Sequence, residues 1–559
     1  MNSVDRILWI VAGLVLFLSF GFTEMMGSDM WWHLAAGREL VQTGTPWMVD
    51  AWSFTAGGGD WLNHEWLADL VYYGWASLWG VESLVYWKWL VILLTYGLLQ
   101  YTLARENDSW MAGFLCAAMA VAIGAPFIDV RPHLYSLLMF AVLLGLLLGR
   151  PAIPWLLALI FVVWVNLHGG FFFGLMALGI LLFPWRDFSV AKFRTAFLIG
   201  LLCVAASALN PSGIKNFLYP LTYAFDQSSP FRGLGEWLSP FKPGGIRSPL
   251  FFYFMWAPLL GVLYAVPMIR RRTGVPWEGL ALTGLTLAMA LTSRRFIPLF
   301  GISLAVMLAP LAAYACKNLM LVRLRPAVAC MALVAALFRL MPYPLSSGPA
   351  FHYLVAEYSY PVDMLNFIEA NDFKGNVYAL YNWGGYIHWR TDGGLQVFID
   401  GRADTVYDAK TYLQYVDVLR GADGWLESVR ESGAEYFLWP VGRNNGQMKL
   451  GQLLASGDWQ PVYRDATAFL LARSDMQLPE AYEVSVPGPY RDLGIAQNLA
   501  WSGEPDKAVT YFEKVRQAVP YQQHACSNLV AIYRGTKREQ QAEQVLAECR
   551  SWFPSRYLR

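Results

Sequence analysis

The segment GSDMWWHLAAGREL (27–40) places Asp29 and His33 four residues apart, so on a helix both lie on one face. A carboxylate and an imidazole one turn apart suit proton abstraction from a hydroxyl and orientation of a polar substrate. The plainer reading makes Ser28 or Asp29 a helix N-cap. WLNHEWL (61–67) supplies His64 and Glu65 between Trp61 and Trp66, either at an interface or in a solvated loop. DVRPHLYS (129–136) carries Asp129, Arg131 and His133, and NLHGG (166–170) carries Asn166 and His168. TSRRF (292–296) sets Arg294 beside Arg295. Guanidinium groups bind phosphate in bidentate fashion, which makes this pair a candidate phosphate site. An ion pair to a loop carboxylate is the alternative. In VFIDGRADTVYD (397–408), Asp400-Gly401 reads as a hairpin turn, and Arg402 with Asp404 as residues that could line a ligand surface.

The elements that must carry these residues are apolar. The chain has 559 residues, 56% hydrophobic and 15% charged, with mean hydropathy +0.35. Soluble domains carry about 25% charged residues, so the balance points to a polytopic membrane protein. The formal net charge of +1 gives no footprint for nucleic acid. The 25 tryptophans suit helix ends at a membrane interface. ILWIVAGLVLFLSFGF (7–22) is followed by TEMMGSDM, without a small-x-small cleavage pattern, and reads as a retained anchor. Apolar runs at 7–23, 83–104, 109–125, 133–149, 152–167, 170–184, 195–209, 249–268, 277–292, 296–315 and 324–341 predict about eleven transmembrane helices, of which 133–149 and 152–167 are short enough to be re-entrant.

With the N-terminus cytoplasmic, the cytoplasmic turns hold Arg6, Arg105, Arg150, Arg186 with Lys192 and Arg194, Arg270 to Arg272, and Lys317 with Arg323 and Arg325. That is the positive-inside pattern, turn by turn. Residues 24–82, 210–248 and everything after about 342 then lie outside. Asp29, His33, His64, Glu65, Asp129, Arg131, His133, Asn166, His168, Asn210, Arg294 and Arg295 all fall on the outer side. The helix interiors carry essentially no charge, whereas ion-coupled transporters accept about 3 kcal/mol per mid-bilayer charge for their sites. The chemistry belongs at the outer interface.

The tail divides in two. Residues 342–480 alternate β-type runs (NVYAL, QVFID, AEYFLW, TAFLLA) with helical patterns such as YPVDMLNFIEA, predicting an external α/β domain. After EVSVPGPY, residues 487–559 repeat with a period of 34: Ala508 and Ala542, Pro520 and Pro554, Leu499 and Tyr533. These match tetratricopeptide helices; two repeats are fewer than such a stack needs, so the segment caps itself on the α/β domain or meets a protein partner. Cys526 and Cys549 fall on two helices of the second repeat, as a disulfide or as free core thiols. Cys116, Cys203, Cys316 and Cys330 lie in apolar runs, and no metal-spaced set calls for a zinc site.

A short N-terminus, a first helix, a long external loop with an acid near its start, many further helices and an external C-terminal domain together resemble the membrane-embedded C-type glycosyltransferases (the GT-C superfold). The resemblance covers about 1–480: a membrane domain over 1–341, with 24–82 as its first external loop, then 342–480. SDMWWHLAAGREL, W-x-x-HEWL, NWGGY and FIDGRAD are similar to segments of bacterial membrane proteins of that superfold. Many members carry an adjacent acidic pair, whereas Asp29 is followed by Met30, so base, metal ligand and acceptor positioning all stay open for Asp29.

The resemblance implies transfer of a sugar from a polyprenyl-phosphate donor to a glycan, lipid or protein acceptor at the periplasmic face of a bacterial inner membrane. It implies Asp29 as base with Glu65 as second candidate. Arg294 and Arg295, with Arg131 or His133, would neutralise the departing phosphate. His33, His64 and Glu65 would orient sugar hydroxyls or tune the base, with His168 among the substrate-binding residues. A divalent metal is left open. Trp31, Trp32 and Trp66 read as a membrane belt in preference to sugar-stacking faces. A lipid-linked polysaccharide polymerase or ligase, and a non-catalytic assembly protein using its tail, are the rival readings.

Overall fold

The computed structural model describes residues 3–21, 23–225, 228–271, 275–318, 324–340, 354–465, 467–483, 491–519 and 522–552. Arg272, Arg323, Pro520, Pro554, the start of the expected α/β domain at 342–353 and most of the EVSVPGPY linker lie outside the described residues. The chain forms two compact units. One comprises Met1–Thr23, His64–Ala68 and Ser83–Leu340; the other comprises Glu24–Asn63, Asp69–Glu82 and Met341–Arg559.

From the N-terminus the helices run α1 (Ser3–Gly21), α2 (Asp29–Thr43), α3 (Trp66–Trp79), α4 (Leu84–Asn107), α5 (Trp110–Gly124), α6 (His133–Leu147), α7 (Pro154–Leu167), α8 (Phe171–Leu182), α9 (Val190–Ala206), α10 (Ile214–Phe225), α11 (Pro249–Phe254), α12 (Pro258–Arg271), α13 (Trp277–Thr292), α14 (Ile297–Asn318) and α15 (Arg325–Leu340). Each of the eleven apolar runs falls in helix; the 249–268 run is broken between α11 and α12, just before Pro258. Val81–Asn107, Trp110–Phe127, Pro249–Met268 and Arg294–Lys317 are long and apolar enough to cross a bilayer, and shorter apolar helices flank them. This is a multi-pass membrane protein.

In the membrane unit, α5 packs on α4 and α14, α1 on α4 and α15, and α13 on α14. Close approach depends on small residues: a Cβ on Gly113 would stand 2.6 Å from the Gln100 carbonyl oxygen. Two buried polar side chains of this unit serve structure. Gln100 donates to the Trp9 carbonyl at 2.8 Å, and Lys88, fully buried near the start of α4, donates to the carbonyl and hydroxyl of Thr23 at 2.8 and 3.0 Å.

The second unit is built on a five-stranded sheet in the order β4 (Leu395–Val397), β3 (Gly375–Ala379), β5 (Tyr436–Pro440), β7 (Ala468–Arg473), β6 (Trp459–Arg464). β3 runs parallel to β4 and β5, and β7 antiparallel to β5 and β6. The helix Tyr381–Thr391 crosses from β3 to β4. Four strands match the expected β-type runs. The fifth, β6, holds Pro461 beside a register shift, which is tolerated at an edge. The segment after α2 joins this sheet: Met48–Val49 (β1) pairs with Asp60–Trp61 (β2), and Trp52 accepts the Val397 N–H at 2.8 Å on the free edge of β4.

YNWGGYIHWR forms the helix Tyr381–Thr391, and its two glycines explain how that helix docks. A Cβ on Gly384 would meet Asp400 Cβ at 2.4 Å, and one on Gly385 would meet the Trp32 backbone nitrogen at 3.0 Å. The helix therefore lies directly against the α2 backbone. We expect Gly385→Ala to lower the stability of this unit by about 1–3 kcal/mol through overpacking, read as a fall in its thermal unfolding midpoint, with an unchanged midpoint counting against this contact. Trp31 and Trp32 are 2% and 8% exposed, and Trp31 packs edge-on against Tyr360 and Tyr386. They are core residues of the domain, which corrects the belt expectation for these two.

Among the described residues the tail forms four helices, Arg491–Trp501, Pro505–Ala518, Gln523–Gly535 and Glu539–Trp552. Consecutive helices pack on one another. Ala508 and Ala542, from the 34-residue period, are fully buried in their shared core, and Cys526 is disulfide-bonded to Cys549.

Candidate functional site

In the membrane unit, two imidazoles from distant parts of the sequence, His64 and His168, meet at one carboxylate. Glu65 is 8% exposed, and its Oε1 stands 3.7 Å from the Nε2 of both His64 and His168. The His168 ring is fixed by its other nitrogen. Nδ1 accepts the Gly170 N–H at 3.0 Å and faces the Ser136 hydroxyl at 2.7 Å. Ser136 Oγ in turn accepts the Trp164 indole N–H at 2.8 Å, so the hydroxyl proton is free to point at Nδ1. Nδ1 is thus an acceptor, and the proton of the neutral ring sits on Nε2, towards Glu65. Burial first, then the fields of Arg295, His133, His64 and Arg131, hold His168 well below the ordinary imidazole value. It is neutral near pH 7.

The cations form the second part of this site. Arg131 Nη1 stands 2.8 Å from Glu236 Oε2, and Arg295 Nη1 3.5 Å from Oε1 of the same carboxylate. The Arg295 guanidinium also lies 4.1 Å over the Trp237 ring. Burial would raise the Glu236 pKa, but Arg131 and Arg295 outweigh it and hold the carboxyl at about 2. His133 Nε2 donates to the Phe127 carbonyl at 2.8 Å. Arg294, expected at the phosphate, is 1% exposed. Its Nε donates to the Ser239 carbonyl at 3.1 Å, and its terminal nitrogens donate to the carbonyls of Gly244 and Lys242. Arg294 is therefore the anchor of the loop before α11, and Arg131 is the cation that shares Glu236 with Arg295. Two polar residues of the outer set serve structure: Asn166 accepts the Trp66 indole N–H at 2.7 Å, and Asn210 Oδ1 accepts the Ser212 N–H at 3.0 Å.

The other candidates belong to the second unit. Asp29 opens α2, half-buried. Ser28 precedes it with helical backbone and no side-chain cap bond; its hydroxyl donates instead to Asp29 Oδ1 at 3.3 Å. The Asp29 carboxylate stands over Gly401, where a Cβ would be 3.6 Å from Oδ1. His33 is 1% exposed, with Nδ1 2.5 Å from Asp69 Oδ1 and its ring against Trp32 and Tyr72. Asn63 donates to the other Asp69 oxygen at 2.8 Å. Asp69 escaped the sequence reading, although an acid in the run WLADLVYYGW of an apolar helix was a visible signal for a buried partner.

Arg402 corrects the expectation of a ligand-lining residue. It is 2% exposed and lies between two carboxylates, with Nη1 2.7 Å from Asp50 Oδ1 and Nη2 2.8 Å from Asp400 Oδ2. The rings of Trp52 and Trp61 lie 4.3 and 4.8 Å from the guanidinium carbon. Asp400-Gly401 is no hairpin turn: Asp400 accepts the Arg402 N–H at 3.0 Å, and a short 3-10 turn, Ala403–Thr405, follows. Among the described residues no set of three His, Cys, Asp or Glu side chains is arranged to hold a metal ion.

No family model matches the sequence, and no curated protein matches it. Solved structures do. The archaeal oligosaccharyltransferase AglB from Archaeoglobus fulgidus, solved with an inhibitory peptide and a dolichol-phosphate, superposes with a TM-score of 0.54 at 12% identity, over 98% of this chain and 84% of that one. ArnT from Cupriavidus metallidurans in the apo state gives 0.49 at 15% identity, over 83% of this chain and 97% of its own. The chain shares the fold of that oligosaccharyltransferase, a GT-C-like fold.

Proposed function

We propose, with the GT-C fold as premise, that this chain transfers a sugar from a polyprenyl-phosphate donor to an acceptor at the outer face of the membrane. One observation carries the reading. Arg131, Arg295, His133, His64, Glu65 and His168, scattered over more than 200 residues of sequence, form one electrostatic cluster in the membrane unit. Two guanidiniums on one anion position suit a departing phosphate, whose developing charge is the largest electrostatic demand of the reaction. Glu65, between two imidazoles, orients sugar hydroxyls or serves as the second base. Asp29, with one oxygen on Ser28 and the small Gly401 beside it, takes the acceptor proton. His33 and Asp69 fix the turn that presents Asp29, so His33 acts as a positioning residue.

The topology belongs to the same proposal. Eleven spans put the N-terminus in the cytoplasm and the tail in the periplasm of a bacterial inner membrane. The Cys526–Cys549 disulfide supports an oxidising compartment for the tail. The acceptor is a glycan, lipid or protein, and residues 487–559 dock a protein partner through tetratricopeptide-like helices.

The test supplies membranes containing the protein with defined radiolabelled polyprenyl-phosphate sugars and follows label into acceptors, with and without a chelator. Label transfer that falls by about 10²–10³-fold in Arg295→Ala is expected. Transfer unaffected by both Arg131→Ala and Arg295→Ala would remove the phosphate site. The polymerase or ligase reading uses the same arginines but leaves Asp29 dispensable, so Asp29→Asn separates the two. A non-catalytic assembly protein would tolerate all three changes.

A further inference from the structure

Glu236 bridges Arg131 and Arg295 as a bound anion would, with one carboxylate oxygen on each guanidinium at 2.8 and 3.5 Å. A structural ion pair needs one cation, and here two converge on one carboxylate whose side chain is still 23% exposed. The main chain around it is pinned. The Glu236 carbonyl accepts the Ser293 hydroxyl at 3.0 Å and the Arg295 N–H at 3.3 Å, and Leu238 accepts the Arg294 N–H at 3.1 Å. Arg294 fastens the next stretch through the Ser239, Lys242 and Gly244 carbonyls. The Glu236 side chain, which is 23% exposed, can rotate towards solvent without breaking these main-chain bonds.

We infer that Glu236 is an internal substitute for the phosphate: its carboxylate holds the Arg131 and Arg295 guanidiniums in place in the empty site and is exchanged for the phosphate of the polyprenyl ligand. This rests on the phosphate reading of the preceding subsection. Exchange keeps the two cations from ever standing unpaired, which preorganises them. It also weakens net phosphate binding, because every bound phosphate must first break the Glu236 pairs. With Glu236 seated, the three groups sum to a single positive charge; with it swung out, the two guanidiniums match the dianion of a phosphomonoester. Every incoming phosphate therefore meets the same cost of breaking the Glu236 pairs, and re-seating Glu236 helps to expel the spent polyprenyl phosphate.

The experiment measures binding of farnesyl phosphate to the full-length protein in detergent, with inorganic phosphate and farnesol as parallel probes. Glu236→Gln keeps the shape and removes the charge. It is expected to tighten farnesyl phosphate and inorganic phosphate by about tenfold, the size of one charge-assisted pair, and to leave farnesol unchanged. Glu236→Asp, too short to reach both guanidiniums, is expected to tighten binding in the same direction, and serves if the glutamine variant fails to fold. Binding unchanged or weakened in both variants, while Arg131→Ala or Arg295→Ala loses it, overturns the exchange and leaves the phosphate site standing. Binding retained in both arginine variants overturns the site and the exchange together. Tightening of farnesol alongside the phosphates would place the effect on the lipid chain and also overturn it.

Discussion

Asp29→Asn is expected to lower the turnover of sugar transfer by about 10²–10⁴-fold, the usual contribution of a positioned general base, with KM for the donor little changed. The amide is nearly isosteric with the carboxylate, and Ser28 Oγ still has an oxygen to which it can donate, so the α2 start keeps its shape. On the proposed mechanism, what disappears is the capacity to accept a proton from the acceptor hydroxyl. Glu65→Gln provides the contrast. Glu65 is buried between His64 and His168 at 3.7 Å from each, and if it only orients sugar, its loss raises KM for the donor more than it lowers turnover. A large fall in turnover for Glu65→Gln with an active Asp29→Asn would exchange the two roles. Full activity of Asp29→Asn alone would end the base assignment.

The second large effect concerns folding. Arg402→Ala is expected to destabilise the second unit by about 3–5 kcal/mol, because it strands Asp50 and Asp400 as uncompensated buried charges. These carboxylates are 1% and 0% exposed, and Arg402 alone gives them ionic partners at 2.7 and 2.8 Å among the described contacts. Adding Asp400→Asn to Arg402→Ala should recover part of the loss, since one of the stranded charges is gone. Arg402→Lys keeps the charge but lacks the fork that reaches both oxygens of Asp400 and the planar face against Trp52; it should fall between. Thermal unfolding and limited proteolysis of the 354–483 region read these changes. An unfolding midpoint for Arg402→Ala equal to the parent would show that the ion cluster contributes nothing to holding the loop segment on the sheet.

The helices of the eleven apolar runs and four of the five sheet strands were legible in the sequence because each depends on a local run or period of apolar residues, whereas the helix Tyr381–Thr391 was not. β6 was not, since Pro461 argues against a central strand and only its edge position rescues it. The site was legible as an inventory. Residue type and outer placement brought out Glu65, His64, His168, Arg131, His133 and Arg295, which do converge within the membrane unit. What sequence could not supply was direction. Arg294 and Arg295 are adjacent and chemically equal, yet one is turned into loop carbonyls and the other towards Glu236 and Trp237. In the same way His33 shares a helical face with Asp29 by spacing, but its imidazole is committed to Asp69. Pairings across long sequence separations, such as Asp50 with Arg402, leave no local pattern at all.

Residues 24–63 and 69–82 complete their fold only with partners beyond residue 353, through contacts such as Met25 with Val355 and Gly385 with Trp32. Some 270 residues of helical membrane chain are made in between. At roughly 5–20 residues per second of synthesis, this early segment waits for about 14–55 s before its other half exists. During that interval Trp31, Trp32, Trp52 and Trp61 lack the sheet domain that completes their burial. Biogenesis therefore sets its own demand on this protein: nascent chains halted before the sheet emerges carry an exposed aromatic segment, and chaperones or proteases meet it first.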